Sequence, residues 1–165
     1  MTTVLGIDPG LNRTGYAVLE RAAGGPRLVE GGVIRATHGQ TLSERVFEMA
    51  QGVREVIREF RPASLAIELV FAHRQYPKTS VLMAHARGAI LYVARDHELP
   101  VMHYTPTQVK RLLTGSGKAS KEQMQWAIQR EFGLDRLLEP NDVADAAAVA
   151  LCHYHHPRRT WPPHA

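Results

Sequence analysis

The sequence predicts an α/β fold, a five-stranded mixed sheet with helices on both faces. Three observations predict it. Three strand-like segments at the start are joined by tight turns, which implies an antiparallel meander. A helical segment then separates the third strand from a fourth, and such a crossover is what parallel neighbours need. The full order, β-β-β-α-β-α-β-α-α-α, fits into 165 residues, the size of one domain.

Each element has its own signal. Thr3 to Asp8 (TVLGID) is an apolar run stopped by Pro9-Gly10, which forces a turn. Gly15 to Glu20 alternates as a strand does, and Arg27 to Ala36 follows the Gly24-Gly25-Pro26 turn. From Thr41 to Phe60 the period changes. Leu42, Val46, Met49, Val53, Val56, Ile57 and Phe60 recur at three and four residues, and Pro62 ends the helix. Ser64 to Glu68 (SLAIE) is the fourth strand. Thr79 to His97 is a helix that is apolar almost all round, so it needs cover on more than one side. The sheet supplies one cover; another helix or another subunit supplies the second. Pro100 to Tyr104 is the fifth strand. Thr105-Pro106 opens a short helix with proline in its first turn, and Gly115-Ser116-Gly117 breaks it. Ser120 caps a helix that runs to Phe132 and stops at Gly133, and Asp142 to His155 forms the last. There is no internal repeat or linker. The expectation is one domain over 1–156 and a Pro-rich tail over 157–165.

Composition narrows the class. Hydrophobic residues make up 44% and charged residues 22%, close to an average globular protein. No apolar run is long enough to span a bilayer, and the first residues lack the basic start of a secretory signal. The single cysteine, Cys152, cannot form an internal disulfide, so a cytoplasmic setting is expected. Net charge is +4, but it is unevenly spread: Phe71 to Lys121 holds eight Lys and Arg against two acids. An acidic polymer bound next to an acidic site would need that layout.

The chemistry-bearing residues are acids placed where strands end. Asp8 and Glu68 each follow a buried apolar run. If their strands are parallel neighbours, both carboxylates emerge at the carboxyl edge, where open α/β sheets bind ligands. Asp142 and Asp145 are three apart and share one face of the last helix. The small residues Ala146 to Ala150 let that helix lie close on the sheet. Like charges at about 4 Å repel by several kcal/mol at an effective dielectric near 20, so four converging acids require cations. An all-oxygen donor set suits Mg²⁺ or Mn²⁺, and two such ions clamp a phosphoryl displacement. Phe71, Arg74, Tyr76 and Lys78 follow Glu68 in a loop that suits stacking on unpaired bases. Lys110, Arg111, Lys118 and Lys121 are candidate phosphate contacts. His153, His155 and His156 are expected to interact with the C-terminus of the last helix.

These residues form an ordered set: Leu5-Gly6-Ile7-Asp8-Pro9-Gly10 with Thr14-Gly15-Tyr16, Ala66-Ile67-Glu68 with Val70-Phe71, Ala86-Arg87-Gly88, Gln108-Val109-Lys110, and Asp142-x-x-Asp145-Ala146. The set resembles the RuvC family of Holliday-junction resolvases over nearly the whole chain. The resemblance implies a ribonuclease-H-like fold, a homodimer, and symmetric nicking of two like-polarity strands of a four-way DNA junction. It implies catalytic acids at Asp8, Glu68, Asp142 and Asp145, an aromatic residue near the branch at Phe71, and basic active-site residues at Lys110 and Lys121. It implies partnership with the RuvA–RuvB branch-migration machine in recombination and repair. Two other readings share the fold type. An RNA-processing nuclease of the same superfamily would take single-stranded or structured RNA. An actin-like ATP-binding phosphotransferase would need a second phosphate loop, for which this chain has no room.

Overall fold

The computed structural model describes residues 2–71 and 75–156. Its elements are β1 (Thr3–Asp8), β2 (Arg13–Ala22), β3 (Gly25–Arg35), α1 (Leu42–Phe60), β4 (Ser64–Glu68), α2 (Pro77–Asp96), β5 (Val101–Tyr104), α3 (Pro106–Thr114), α4 (Lys121–Phe132) and α5 (Asn141–His155). The sheet order is β3-β2-β1-β4-β5. β1–β2 and β2–β3 are antiparallel, whereas β1–β4 and β4–β5 are parallel. This is the mixed sheet that the meander and the crossover predict. The tail over 157–165 and Arg74 lie outside the described residues.

Strand alternation sorts the side chains onto two faces. Leu5, Ile7, Leu65 and Ile67 pack with Met49, Val53, Ile90 and Val93 of α1 and α2. Val4, Ala17, Leu19 and Ala66 pack with the alanine-rich stretch of α5 and with α3 and α4. Helices therefore cover both faces. Local chemistry sets the helix ends. Thr41, Thr105 and Ser120 each cap a helix through a reciprocal box with Glu44, Gln108 and Gln123. Gly115 and Gly133 end α3 and α4 in the left-handed region.

α2 starts two residues before the expected Thr79, because Pro77 is the pre-shaped first residue of a helix. β2 and β3 are longer than alternation indicates, and a register shift at Val18/Leu19 interrupts the pattern. Ala86, Ile90, Val93 and Ala94 of α2 face the core, but its outer side keeps Val81 and Tyr92 exposed. With Leu42, Val46 and Phe47 of α1, Tyr92 borders an apolar groove of about 990 Å³. Among the described residues no helix is long and apolar enough to cross a membrane.

Candidate active site

Parity along the strands places the acids. Ile7 pairs with Ile67 across the parallel β1–β4 ladder, so the next residues, Asp8 and Glu68, sit side by side at its carboxyl end. Their partners on the buried lattice, Val4 and Ala66, face α5, and Asp8 and Glu68 share that parity. α5 reaches them because nothing holds it off the sheet. A Cβ on Gly6 would lie 2.1 Å from the Ala146 carbonyl oxygen, and one on Gly15 would lie 2.0 Å from that of Asp142. Glycine at these two positions, with Ala146 and Ala150 facing Gly6 and Asp142 facing Gly15, brings the first turns of α5 onto β1 and β2.

The result is a cleft of about 310 Å³ lined by Asp8, Glu68, Asp145, Lys110 and Lys121, with Val109, Met124 and Ala148 as its apolar wall. Crowding perturbs the acids. Burial first, then the charges of Asp145, Glu68 and Asp142, push Asp8 up to about 7, while Lys121 opposes the shift. Burial and then Asp145 push Glu68 up to about 7, and Lys110 opposes. Asp145 opens to solvent at the cleft mouth, yet the packing around it and Asp142 still raise its pKa against Lys121. Lys121 thus partly compensates Asp8 and Asp145, and Lys110 partly compensates Glu68. Asp142 does not line this cleft. Its Oδ2 accepts from Arg13 Nε at 3.0 Å and from an Arg13 terminal nitrogen at 2.6 Å.

A second, apolar cleft of about 420 Å³ opens on the other side of Asp8 and Glu68, bordered by Phe71, Tyr76, Thr79 and Met83. Phe71 and Tyr76 are 62% and 63% exposed, so both rings face outward rather than into the core. The other predicted basic residues spread around this centre. Lys78 is exposed in the first turn of α2. Lys118 is exposed between α3 and α4, so Lys121 rather than Lys118 lines the acid cleft. Arg111 borders a separate cavity with Tyr104, Gln108 and Cys152. The histidines depart from expectation. His153 is buried and its Nδ1 meets the Tyr104 hydroxyl at 2.7 Å, tying β5 to α5. His155 pairs with Glu131 at 2.6 Å. Both find side-chain partners that helix position does not reveal. Arg13 was not anticipated as a site residue either, since its partner lies 129 positions away.

The comparisons with known proteins point one way. A family model described as "Crossover junction endodeoxyribonuclease RuvC" matches residues 4–153. The crossover junction endodeoxyribonuclease RuvC of Rhodopirellula baltica is 47% identical over 154 residues, covering 92% of this chain and 85% of that protein. Thermus thermophilus RuvC superimposes with a TM-score of 0.85 at 35% identity, covering 95% of this chain and 96% of that one. The same protein in complex with a Holliday junction substrate gives 0.87, with 96% of each chain covered. The fold is thus shared along almost the entire length, and the chain belongs to the RuvC family of crossover junction endodeoxyribonucleases.

Proposed function

We infer that this chain is a Holliday junction resolvase, a phosphodiester hydrolase that nicks two like-polarity strands symmetrically across a four-way DNA junction in recombination and repair. The relative solved with a Holliday junction substrate supports the substrate. The observation that carries the chemistry is the cleft in which Asp8, Glu68 and Asp145 face Lys110 and Lys121.

Nucleases of this family depend on metal. The residues here fit one. Among the described residues the cleft offers carboxylate oxygens and no thiolate or imidazole, the donor chemistry of Mg²⁺ or Mn²⁺. Burial and then the neighbouring carboxylates push Asp8 and Glu68 up to about 7, and a dication would offset that crowded negative charge. Among the described residues no three such groups yet close around a single point, so binding requires side-chain rotation. Asp8, Glu68, Asp145 and Asp142 would hold the metal, two ions per site. Bound there, it supplies Lewis acidity for phosphodiester hydrolysis. Lys110 and Lys121 draw the scissile phosphate into the cleft and offset its charge. Phe71 and Tyr76 stack on bases unpaired near the branch. Arg74, Lys78, Arg111 and Lys118 extend the contact along the phosphate backbone.

Two symmetric cuts need two active sites. The groove carrying Phe47 and Tyr92, which are 66% and 67% exposed, is the surface through which a second copy completes a homodimer. The RuvA–RuvB machine is the expected partner, in the cytoplasm. The test is direct. A synthetic four-way junction with Mg²⁺ should yield paired, religatable nicks bearing 5′-phosphates. Asp8→Asn should abolish them while junction binding survives. Cutting retained in Asp8→Asn, or structured RNA cleaved in preference, would overturn the assignment.

A further inference from the structure

Arg13 bonds to Asp142, the one of the four proposed acids that does not line the cleft. Both of its contacting nitrogens, at 3.0 and 2.6 Å, converge on the same oxygen of Asp142. That oxygen therefore already serves a guanidinium from two directions. Neither main chain has room to adjust. The turn before Arg13 is locked by the Thr14 hydroxyl, which donates to the Gly10 carbonyl oxygen at 2.6 Å, and by Ala36 N–H donating to the Asn12 carbonyl oxygen at 3.0 Å. Asp142 is pinned because its own carbonyl oxygen sits directly over Gly15. What remains free is rotation of the two side chains, and that of Arg13 is 47% exposed.

We propose that Arg13 is a positioning residue that competes with a divalent cation for the Asp142 carboxylate: the guanidinium draws Asp142 away from the cleft of Asp8, Glu68 and Asp145, and the cation must displace it to recruit the fourth acid. A dication on that oxygen would stand beside the guanidinium, and the two positive charges repel. The pair therefore has two mutually exclusive arrangements, and Arg13 sets the threshold between them. Arg35 lies opposite Arg13 in the β2–β3 ladder. This inference rests on reading the acid cleft as a cation site.

The test measures binding of Mn²⁺ alone to the purified full chain without DNA, following the free ion by electron paramagnetic resonance. Arg13→Gln should bind Mn²⁺ tighter than the native chain by roughly two- to five-fold, the factor corresponding to a partly exposed ion pair. Arg13→Lys, which keeps the charge and loses the fork, should fall between the two. In an Asp142→Asn background, Arg13→Gln should change the affinity by less than about two-fold, because the contested carboxylate is gone. Unchanged or weaker binding in Arg13→Gln would overturn the proposal. So would an equal gain in the Asp142→Asn background, since Arg13 would then act only as a nearby charge. A native chain that binds no Mn²⁺ would overturn the cation site itself. A native chain that binds it, with Arg13→Gln indistinguishable, overturns the competition alone.

Discussion

Replacing Asp8 with asparagine should make the metal-free protein more stable, although it removes a residue assigned to the active site. The ordinary carboxyl value is 3.8, and in the fold it rises to about 7. A folded state with the higher pKa holds its proton more tightly than the unfolded chain. The stability that follows is fully present below 3.8 and is lost as pH climbs through 7. Each pKa unit is worth about 1.4 kcal/mol, which sets a ceiling of about 4 kcal/mol on the loss at pH 8. Solvent screening at the partly open cleft reduces this to about 1–2 kcal/mol. The amide of Asp8→Asn has nearly the same shape and no charge to desolvate. Thermal unfolding in EDTA at pH 8 should therefore show the variant melting higher by roughly 2–8 °C. The gap should shrink at pH 5, where the native carboxyl is already protonated. Magnesium should raise the native melting temperature and leave that of the variant nearly unmoved. A variant no more stable than the native chain at pH 8, or a gap that ignores pH, would refute the argument that crowded carboxylates strain this site.

Three further outcomes follow from the same geometry. Phe71→Ala should leave the fold intact and slow junction cleavage, because a lost stack is worth ~1–3 kcal/mol; single-turnover rates on a four-way junction check it. Lys121→Ala and Lys110→Ala should each flatten the dependence of junction affinity on salt by about one charge, read by titrating a labelled junction at several ionic strengths. Gly6→Ala should cost more than about 3 kcal/mol, since the new Cβ would meet the Ala146 carbonyl oxygen at 2.1 Å; urea unfolding measures it.

The frame of the site could be read in the chain because its acids follow signals that are local. Asp8 precedes a forced turn and Glu68 ends a short apolar run, so their strand-end positions follow from residues within reach of each other. Asp142 and Asp145 lie three apart, and helical spacing alone puts them on one face. What could not be read depends on rotamers and on distant partners. Nothing near Arg13 announces a bond to Asp142. His153 resembles a helix-end histidine by position, yet it is buried against Tyr104 because α5 continues under the sheet. The order of the basic residues around the cleft was also opaque. Lys118 and Lys121 differ by three positions, but the capped start of α4 at Ser120 directs only the latter to the acids. Sequence spacing likewise could not say whether the second side of α2 would be covered; in the fold its Val81 and Tyr92 stay exposed.

The glycine-to-alanine contact between the sheet and α5 has an evolutionary implication. The spacing of the acids proposed as catalytic is encoded by missing atoms, not by the acids themselves. One methyl gained at Gly6, Gly15, Ala146 or Ala150 would lift the helix and swing its aspartates out of reach, without touching a reactive group. Such positions should tolerate less drift than many of the surface charges proposed to meet the nucleic acid, and loss of enzyme function in a natural variant can begin there, at residues that carry no reactive group of their own.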